Sequence, residues 1–367
     1  MSSIWGNKLK VSLFGESHGE AIGVVINNLP PGIKLDLEYI NNQMNRRKPG
    51  TKETSSPRKE SDTYNIISGY FDGKTTGSPL CAIIYNENTK SKDYSILKDN
   101  MRPGHSDYPA FIKYNRFNDY RGGGHFSGRI TAPLLFAGAI AMQILESKCI
   151  YIGSRIKSIY NIEDNNMPEI NKALLDSLKS MDFPVTTTEK ASEMKASILN
   201  AKEKGDSVGG IVETYIINLE AGYGDPFFDS VESRLSHMLF SIPAVKGIEF
   251  GLGFDITKMH GSSANDEYVI QGDNIYTKTN NNGGILGGIT NGMPIVFRTA
   301  IKPTPSVYIK QNTVNIKEMK NVSLQIEGRH DPCVVPRALP VIEGGAALVI
   351  LDLILEREGE LWKNYSD

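Results

Sequence analysis

Histidine and arginine recur in Gly- and Pro-rich turns of this chain, where core packing has no use for them. Arg329-His330-Asp331-Pro332-Cys333, Gly15-Glu16-Ser17-His18-Gly19 and Arg102-Pro103-Gly104-His105 each set a proton-transfer side chain beside a hydroxyl, a guanidinium or a turn former. Three such pieces, spread over most of the chain, suggest one site assembled from distant segments and built to act on an anion. An unperturbed imidazole titrates near neutrality and suits proton donation, which singles out His18 and His105 among the six histidines. His237 falls in an amphipathic helical pattern over 231–240 and reads as structural.

The arginines extend this pattern. Arg46, Arg47, Arg102, Arg129 and Arg329 lie close to a Gly or Pro or at a helix end. Guanidinium forks bind carboxylates and phosphates in a bidentate way, so several converging on one pocket imply a small polyanion. No metal is expected, because His330, Asp331 and Cys333 crowd one turn too closely to close a tetrahedral site.

Residues 68–75 almost spell a nucleotide phosphate loop, but Ser68 replaces its first glycine, and Gly77 and Pro79 cannot open the required helix. Gly251-Leu252-Gly253 lacks the third glycine of a dinucleotide fingerprint. Gly283-Gly284-Ile285-Leu286-Gly287-Gly288 lets backbone approach a flat ligand or a phosphate, and Lys302-Pro303-Thr304-Pro305-Ser306 adds a cation and two hydroxyls.

At 367 residues, with 40% hydrophobic and 22% charged content, the chain can bury a large core. Its net charge of −2 gives no global pull toward nucleic acid or an anionic membrane, so anion selectivity must be local. Cys81, Cys149 and Cys333 are too few for a disulfide framework, and Cys81 and Cys149, set in apolar runs, are expected to be buried. The N-terminus lacks a signal-peptide core, and the apolar runs 132–145 and 346–355 are shorter than a bilayer span. These features lead to the expectation of a soluble chain in the reducing cytoplasm, without membrane or nucleic-acid partners.

Elements able to position such a site follow from the patterning. β-Rich stretches at 10–14 and 21–27 flank the Ser17-His18 turn, and a helix over 36–47 is capped by Asp36, with Leu37, Ile40 and Met44 on one face. Residues 51–62 read as a charged loop, followed by strands at 64–70 and 80–85 and a short helix over 107–115. The Arg121-Gly122-Gly123-Gly124 turn feeds a deeply apolar helix, 132–147. Two amphipathic helices are expected within 168–204, strands at 211–219, 247–254 and 295–301, tight turns over 280–292, and a second apolar helix over 340–357. The reading is α+β, with strands in hairpin-like order and a single domain over 1–367.

Longer motifs then carry a resemblance. GESHGEAIGVVINNLPPG (15–32), RRKPG (46–50), SGYFDGKTTGSP (68–79), RPGHSDY (102–108), RGGGHFSGRITA (121–132), NGGILGGITNG (282–292), KPTPS (302–306) and GRHDPCVVPRALPVIE (328–343) closely resemble the chorismate synthase family. The resemblance implies helices held between two antiparallel four-stranded sheets, in a homotetramer. It implies an anti-1,4-elimination of phosphate from 5-enolpyruvylshikimate 3-phosphate to give chorismate, with reduced FMN obligatory and no net redox change.

On matching positions it implies that His18 protonates the departing phosphate beside Ser17. His105 lies near the flavin and keeps its reduced form suitably protonated, and Asp331 acts in removing the substrate proton. Arg47, Arg102, Arg129 and Arg329 clamp substrate anions. His125, Phe126, Ser127, Ala244, Gly287, Lys302, Pro303, Thr304, Pro305, Ser306 and Arg329 occupy flavin-contact positions. The chain departs from the family at His125-Phe126-Ser127-Gly128-Arg129, where Arg-Ser-Ser-Ala-Arg is usual. Lys48 and Lys90 replace arginines, and Glu53 stands where a basic, nicotinamide-nucleotide-linked residue is common, which speaks against an intrinsic NADPH-dependent flavin reductase. Two other classes stay open on the residues alone: a phosphotransferase using Gly73-Lys74-Thr75, and a flavin- or anion-binding module without catalysis.

Overall fold

The computed structural model describes residues 3–48, 61–87, 96–166, 169–326 and 330–358. Short alternating segments build the first sheet: Ile4–Trp5 (β1), Lys10–Gly15 (β2), Ala21–Asn27 (β3) and Tyr64–Ser68 (β4). After the hairpin of Tyr70–Phe71 (β5) and Lys74–Thr75 (β6) comes Leu80–Tyr85 (β7). The sheet order is β1-β2-β3-β7-β4, antiparallel throughout. Between β3 and β4 runs helix α1 (Leu37–Arg47), whose N-cap Asp36 accepts from the Tyr39 N–H at 2.9 Å. In the β5–β6 turn, Asp72 and Gly73 both take positive φ, 49° and 77°, as a two-residue hairpin loop demands. Lys74 therefore lies in a strand, and no helix follows it to make a phosphate loop.

The second sheet comprises Tyr151–Ile159 (β8), Ile162–Glu163 (β9), Gly210–Ile217 (β10), Val245–Phe250 (β11) and, further on, Ile295–Ile301 (β16). Two hairpins precede β16: Tyr268–Gln271 (β12) with Asn274–Thr277 (β13), and Ile285–Leu286 (β14) with Ile289–Thr290 (β15). A third follows it, Gln311–Asn315 (β17) with Lys320–Leu324 (β18). The order is β11-β16-β10-β8-β9, again antiparallel. Each sheet thus has five strands rather than the expected four, because the two-residue strands β1 and β9 extend an edge.

The other helices are Asp107–Lys113 (α2), Thr131–Ser147 (α3), Lys172–Ser180 (α4), Thr188–Glu203 (α5), Val231–Leu239 (α6), Gly261–Ala264 (α7) and Val335–Glu358 (α8). Helix α3 packs on β2, β3 and β7, α8 packs on β8 and β10, and the two pack on each other between the sheets. They meet at Gly138 and Gly344, where a Cβ on Gly138 would lie 2.4 Å from the Gly344 Cα. One apolar cluster runs from Leu9 to Leu355 through both sheets and this helical layer.

Three expectations change. The apolar runs are longer than read: the helical stretches Gly128–Ser147 and Val335–Glu358 reach 20 and 24 residues, lengths that could span a bilayer. Their apolar windows are 78% and 94% buried in the protein, so they are core helices. Strand β8 escapes the periodicity reading because Ser154, Arg155, Lys157 and Ser158 interrupt it, yet all four are buried. With both faces covered, it pairs buried polar groups with its neighbours: Arg155 Nε donates to Glu213 on β10 at 2.9 Å, and the Ser154 and Thr214 hydroxyls meet at 2.9 Å. Cys149 is exposed just past α3 and Cys81 is half-buried, whereas Cys333 is buried and its thiol is pushed up to about 12 by desolvation.

Candidate active site

Backbone bonds fix the Ser17-His18 turn between β2 and β3. Gly19 N–H donates to the Glu16 carbonyl at 3.1 Å, and Ser17 N–H donates to the Gly124 carbonyl at 3.1 Å. The His18 ring lies over Gly122, where an added Cβ would fall 2.2 Å from Nδ1 and 2.9 Å from Ser17 Oγ. Gly122, Gly123 and Gly124 all take positive φ, so the triplet lets the backbone pass under the imidazole. Asp119, held by both arms of Arg121 at 2.9 and 2.8 Å, places a carboxylate whose field reaches His18.

Behind this turn lies a carboxylate that the sequence reading passed over. Arg47, nearly fully buried, donates to Asp62 at 2.8 Å, to the Thr131 hydroxyl at 2.9 Å and to the Gly128 carbonyl at 3.0 Å. Arg129 pairs with the other Asp62 oxygen, and its Nε donates to Asn86 Oδ1 at 3.1 Å. Burial alone would raise the Asp62 carboxyl, but the guanidiniums of Arg47 and Arg129 outweigh it and hold it below the ordinary carboxylate range. Asp331 pairs with Arg337 on the first turn of α8, and Arg337 Nε donates back to the Arg47 carbonyl at 2.9 Å.

The third piece is held just as firmly. Arg102 directs Nε and one terminal nitrogen to the two oxygens of Asp107, each at 2.8 Å, at the start of α2. His105 Nδ1 faces the Pro103 carbonyl at 3.0 Å, and since a carbonyl only accepts, Nδ1 carries the proton. Nε2 then accepts from the Ser306 hydroxyl at 2.8 Å. Desolvation, aided by the Arg102 charge, pushes the His105 imidazole down to about 4. It is neutral at physiological pH and is no proton donor there, contrary to the reading of it as an ordinary turn histidine.

Lys302 Nζ donates to the Gly104 carbonyl at 2.7 Å, and its backbone N–H donates to Ala244 at 2.9 Å, with Ala244 at a φ of 76°. Gly104 itself packs against Pro305, whose Cβ would lie 2.9 Å from a Cβ added there. The Thr304 carbonyl accepts from Ser207 at 2.7 Å, and the neighbouring Val208 N–H donates to the Pro332 carbonyl at 2.9 Å. Pro303 is exposed at the head of this stretch. Hydrogen bonds, ion pairs and short steps along the chain (Thr304–Ser306, Ser207–Val208 and Asp331–Pro332) therefore form one bonded path from His105 through Ser306, Thr304, Asp331, Arg337, Arg47, Asp62, Arg129 and Asn86 to the Ser17-His18 turn.

Some sequence-chosen residues stand elsewhere. His125 has both ring nitrogens engaged, Nδ1 with the Gly15 carbonyl and Nε2 with the Ser3 hydroxyl, each at 2.8 Å, and so braces the end of β2. Phe126 packs edge-on against Tyr114, and Ser127 Oγ accepts from the Arg129 N–H at 3.3 Å. Gly287 sits in the β14–β15 turn, whereas Ala244 immediately precedes β11 and Lys302 immediately follows β16. Arg329, and residues 51–60 of the charged loop, lie outside the described residues. Asp62 and Asn86 gave no motif signal; each stands in a polar stretch next to a strand.

The family model for chorismate synthase matches residues 9–355. The chain belongs to the chorismate synthase family. It is 48% identical to the chorismate synthase of Pyrococcus abyssi over 353 residues, 96% of this chain and 97% of the relative. Identity to that of Thermococcus kodakarensis is 46%, over 96% of this chain and 97% of the relative. For Methanocaldococcus jannaschii it is 44%, over 97% of both chains. A crystal structure of chorismate synthase superposes with a TM-score of 0.75 at 31% identity, covering 97% of this chain and 94% of that one. The fold is that of the family, mixed α+β with antiparallel sheets, and the activity is that of a chorismate synthase, a lyase of the shikimate route to aromatic amino acids.

The fit of a flavin can be tested on the Lys302–Ser306 segment. Thr304 Oγ1 is enclosed with no hydrogen-bond partner among the described residues, and the Ser306 hydroxyl and the Lys302 ammonium lie close along the chain. An enclosed, unmatched hydroxyl two residues from the Ser306 hydroxyl that bonds His105 suits the polar edge of a flat ring.

Proposed function

We propose that this chain eliminates phosphate from 5-enolpyruvylshikimate 3-phosphate at the bonded path described above, with reduced FMN held by Lys302, Thr304, Ser306 and His105. The observation that carries the reading is the continuous connection of Asp331 to the Ser17-His18 turn through Arg337, Arg47, Asp62, Arg129 and Asn86. Reduced FMN, when bound, supplies electron density that assists loss of an allylic phosphate without net oxidation.

Breaking the carbon–oxygen bond to phosphate leaves negative charge on a poor leaving group. His18 delivers a proton to it, Ser17 hydrogen-bonds beside it, and the guanidinium of Arg129 neutralises it. Arg47 and Arg102 act from behind, since their forks are directed to Asp62 and Asp107. The electron pair of the departing carbon–hydrogen bond forms one double bond, the existing ring double bond shifts to the carbon that loses phosphate, and the carbon–oxygen pair leaves with the phosphate. The proton leaves on the Asp331 side, where Arg337 pairs with the carboxylate and orients it. Neutral His105 donates through Nδ1 to protein and keeps Nε2 an acceptor, so it adds no positive charge beside the flavin.

The reading includes a single cytoplasmic domain that assembles as a homotetramer. Anaerobic phosphate release with reduced FMN tests it. Wild-type protein is expected to release one phosphate per chorismate, and His18→Ala and Asp331→Ala are expected to be slowed by about 100-fold or more while staying folded. Near-normal rates in both variants would overturn the role assignment.

A further inference from the structure

Asp62 and Asn86 belong to none of the turns that carry the proposed chemistry, yet they tie those turns together. Asp62, fully enclosed, bridges Arg47 and Arg129 with its two oxygens. Asn86 does the next step: its Oδ1 accepts from Arg129 Nε at 3.1 Å, while its Nδ2 donates to the Glu16 carbonyl at 3.1 Å and the Gly19 carbonyl at 2.9 Å. Its backbone N–H takes the Glu20 carbonyl at 3.1 Å, so three carbonyls of the Ser17-His18 turn hang on one residue. Only an amide offers an acceptor to a guanidinium and donors to two carbonyls at once.

We propose that Asp62 is a positioning residue that acts through Arg129 and Asn86 to fix the Ser17-His18 turn in register with the arginine cluster. The proton donor and the guanidinium that meet the leaving phosphate are thereby set by a single buried carboxylate. Charge supports the role. Arg47, Arg129 and Arg337 against Asp62 and Asp331 leave one positive charge among these five groups, so the cluster is compact yet still attracts an anion. Loss of Asp62 would leave two guanidiniums repelling each other across a buried gap, and Arg129 would swing off Asn86.

The inference rests on the functional reading above, and its test separates the two. Single-turnover phosphate release at saturating substrate is measured for Asp62→Asn, Asn86→Ala and the double variant, per folded molecule, with Asp62→Glu as the conservative control. The His18 ring-proton titration is followed by NMR in the same proteins without ligands. Each single change is expected to slow release about tenfold, the double no further, and Asp62→Glu to recover part of the rate. The His18 titration curve is expected to change in both singles. Wild-type rates in the single variants, or losses that multiply to about 100-fold with an unmoved His18 titration, would overturn the relay. A wild-type protein that releases no phosphate would instead sink the functional reading, while the titration would still report on the relay.

Discussion

The imidazole of His105 meets the hydroxyl of Ser306 at 2.8 Å across 201 residues of sequence. That contact holds the Arg102-Pro103-Gly104-His105 turn to the Lys302–Ser306 segment, and with the Pro103 carbonyl it sets the imidazole tautomer. Ser306→Ala is expected to cost about 1 kcal/mol of stability and to weaken FMN binding severalfold, measured by unfolding in urea and by flavin absorbance titration. Unchanged FMN affinity would separate the hydroxyl from the flavin.

The low proton affinity of His105 makes a pH statement. Folded His105 resists protonation down to about 4, whereas the unfolded imidazole protonates near 6.5. Between these values the unfolded chain binds more protons, so stability contributed by this group is full above 6.5 and falls as pH drops toward 4. The effect is on the order of 3 kcal/mol. Urea midpoints across that window should fall less steeply in His105→Asn than in wild type; parallel curves would contradict the assignment.

Gly122 is expected to tolerate no side chain. A Cβ would lie 2.2 Å from His18 Nδ1, and its φ of 59° disfavours other residues. Gly122→Ala should slow phosphate release by about 100-fold through a displaced His18, with far-UV circular dichroism unchanged. A turnover close to wild type would mean that His18 need not sit where it does.

In the helical layer, Gly138 and Gly344 allow α3 and α8 to touch backbone to backbone. A Cβ on Gly138 would come to 2.4 Å of the Gly344 Cα, whereas one on Gly344 would stay 3.2 Å from the Gly138 Cα. Gly138→Ala is therefore expected to destabilise more than Gly344→Ala, the former by about 1–3 kcal/mol. Thermal unfolding of the two variants checks the order, and a reversed order would contradict this account of the crossing.

Asp352 lies fully buried in the apolar helix α8. It accepts from the N–H groups of Asn7, Lys8 and Leu9 at 2.8, 2.8 and 2.7 Å and pairs with Arg234. It thereby pins the chain leading into β2, the strand that ends at the Ser17-His18 turn. Asp352→Asn should cost about 2–3 kcal/mol by weakening the charge-assisted bonds to the three N–H groups and to Arg234, which keeps Glu356 at 3.0 Å; a loss below about 1 kcal/mol in urea unfolding would refute the clamp.

Much of this was legible from residue patterns. Strand β3 and helix α1 read directly, because one is a run of apolar β-formers buried at Ile22, Val24 and Ile26 and the other is opened by Asp36. Strand β8 did not, because Arg155 and Lys157 look like surface charges until Glu213 and the Asp164 carbonyl are seen beside them. Among site residues, Ser17, His18, His105 and Asp331 stood out by their Gly- and Pro-rich turns. Asp62 and Asn86 could not, since their meaning lies in partners remote in sequence. His125 shows the same limit: its ring bonds Ser3 and Gly15, and nothing local in the sequence signals partners that far away.

The most direct test of a single pocket assembled from distant turns is ligand coupling. FMN affinity is measured by absorbance titration with and without saturating 5-enolpyruvylshikimate 3-phosphate. If both lie against one bonded framework, the substrate should change FMN affinity by about tenfold or more, and FMN should change substrate affinity by the same factor. Identical FMN affinities in the two titrations, or no FMN binding at all, would contradict the shared site.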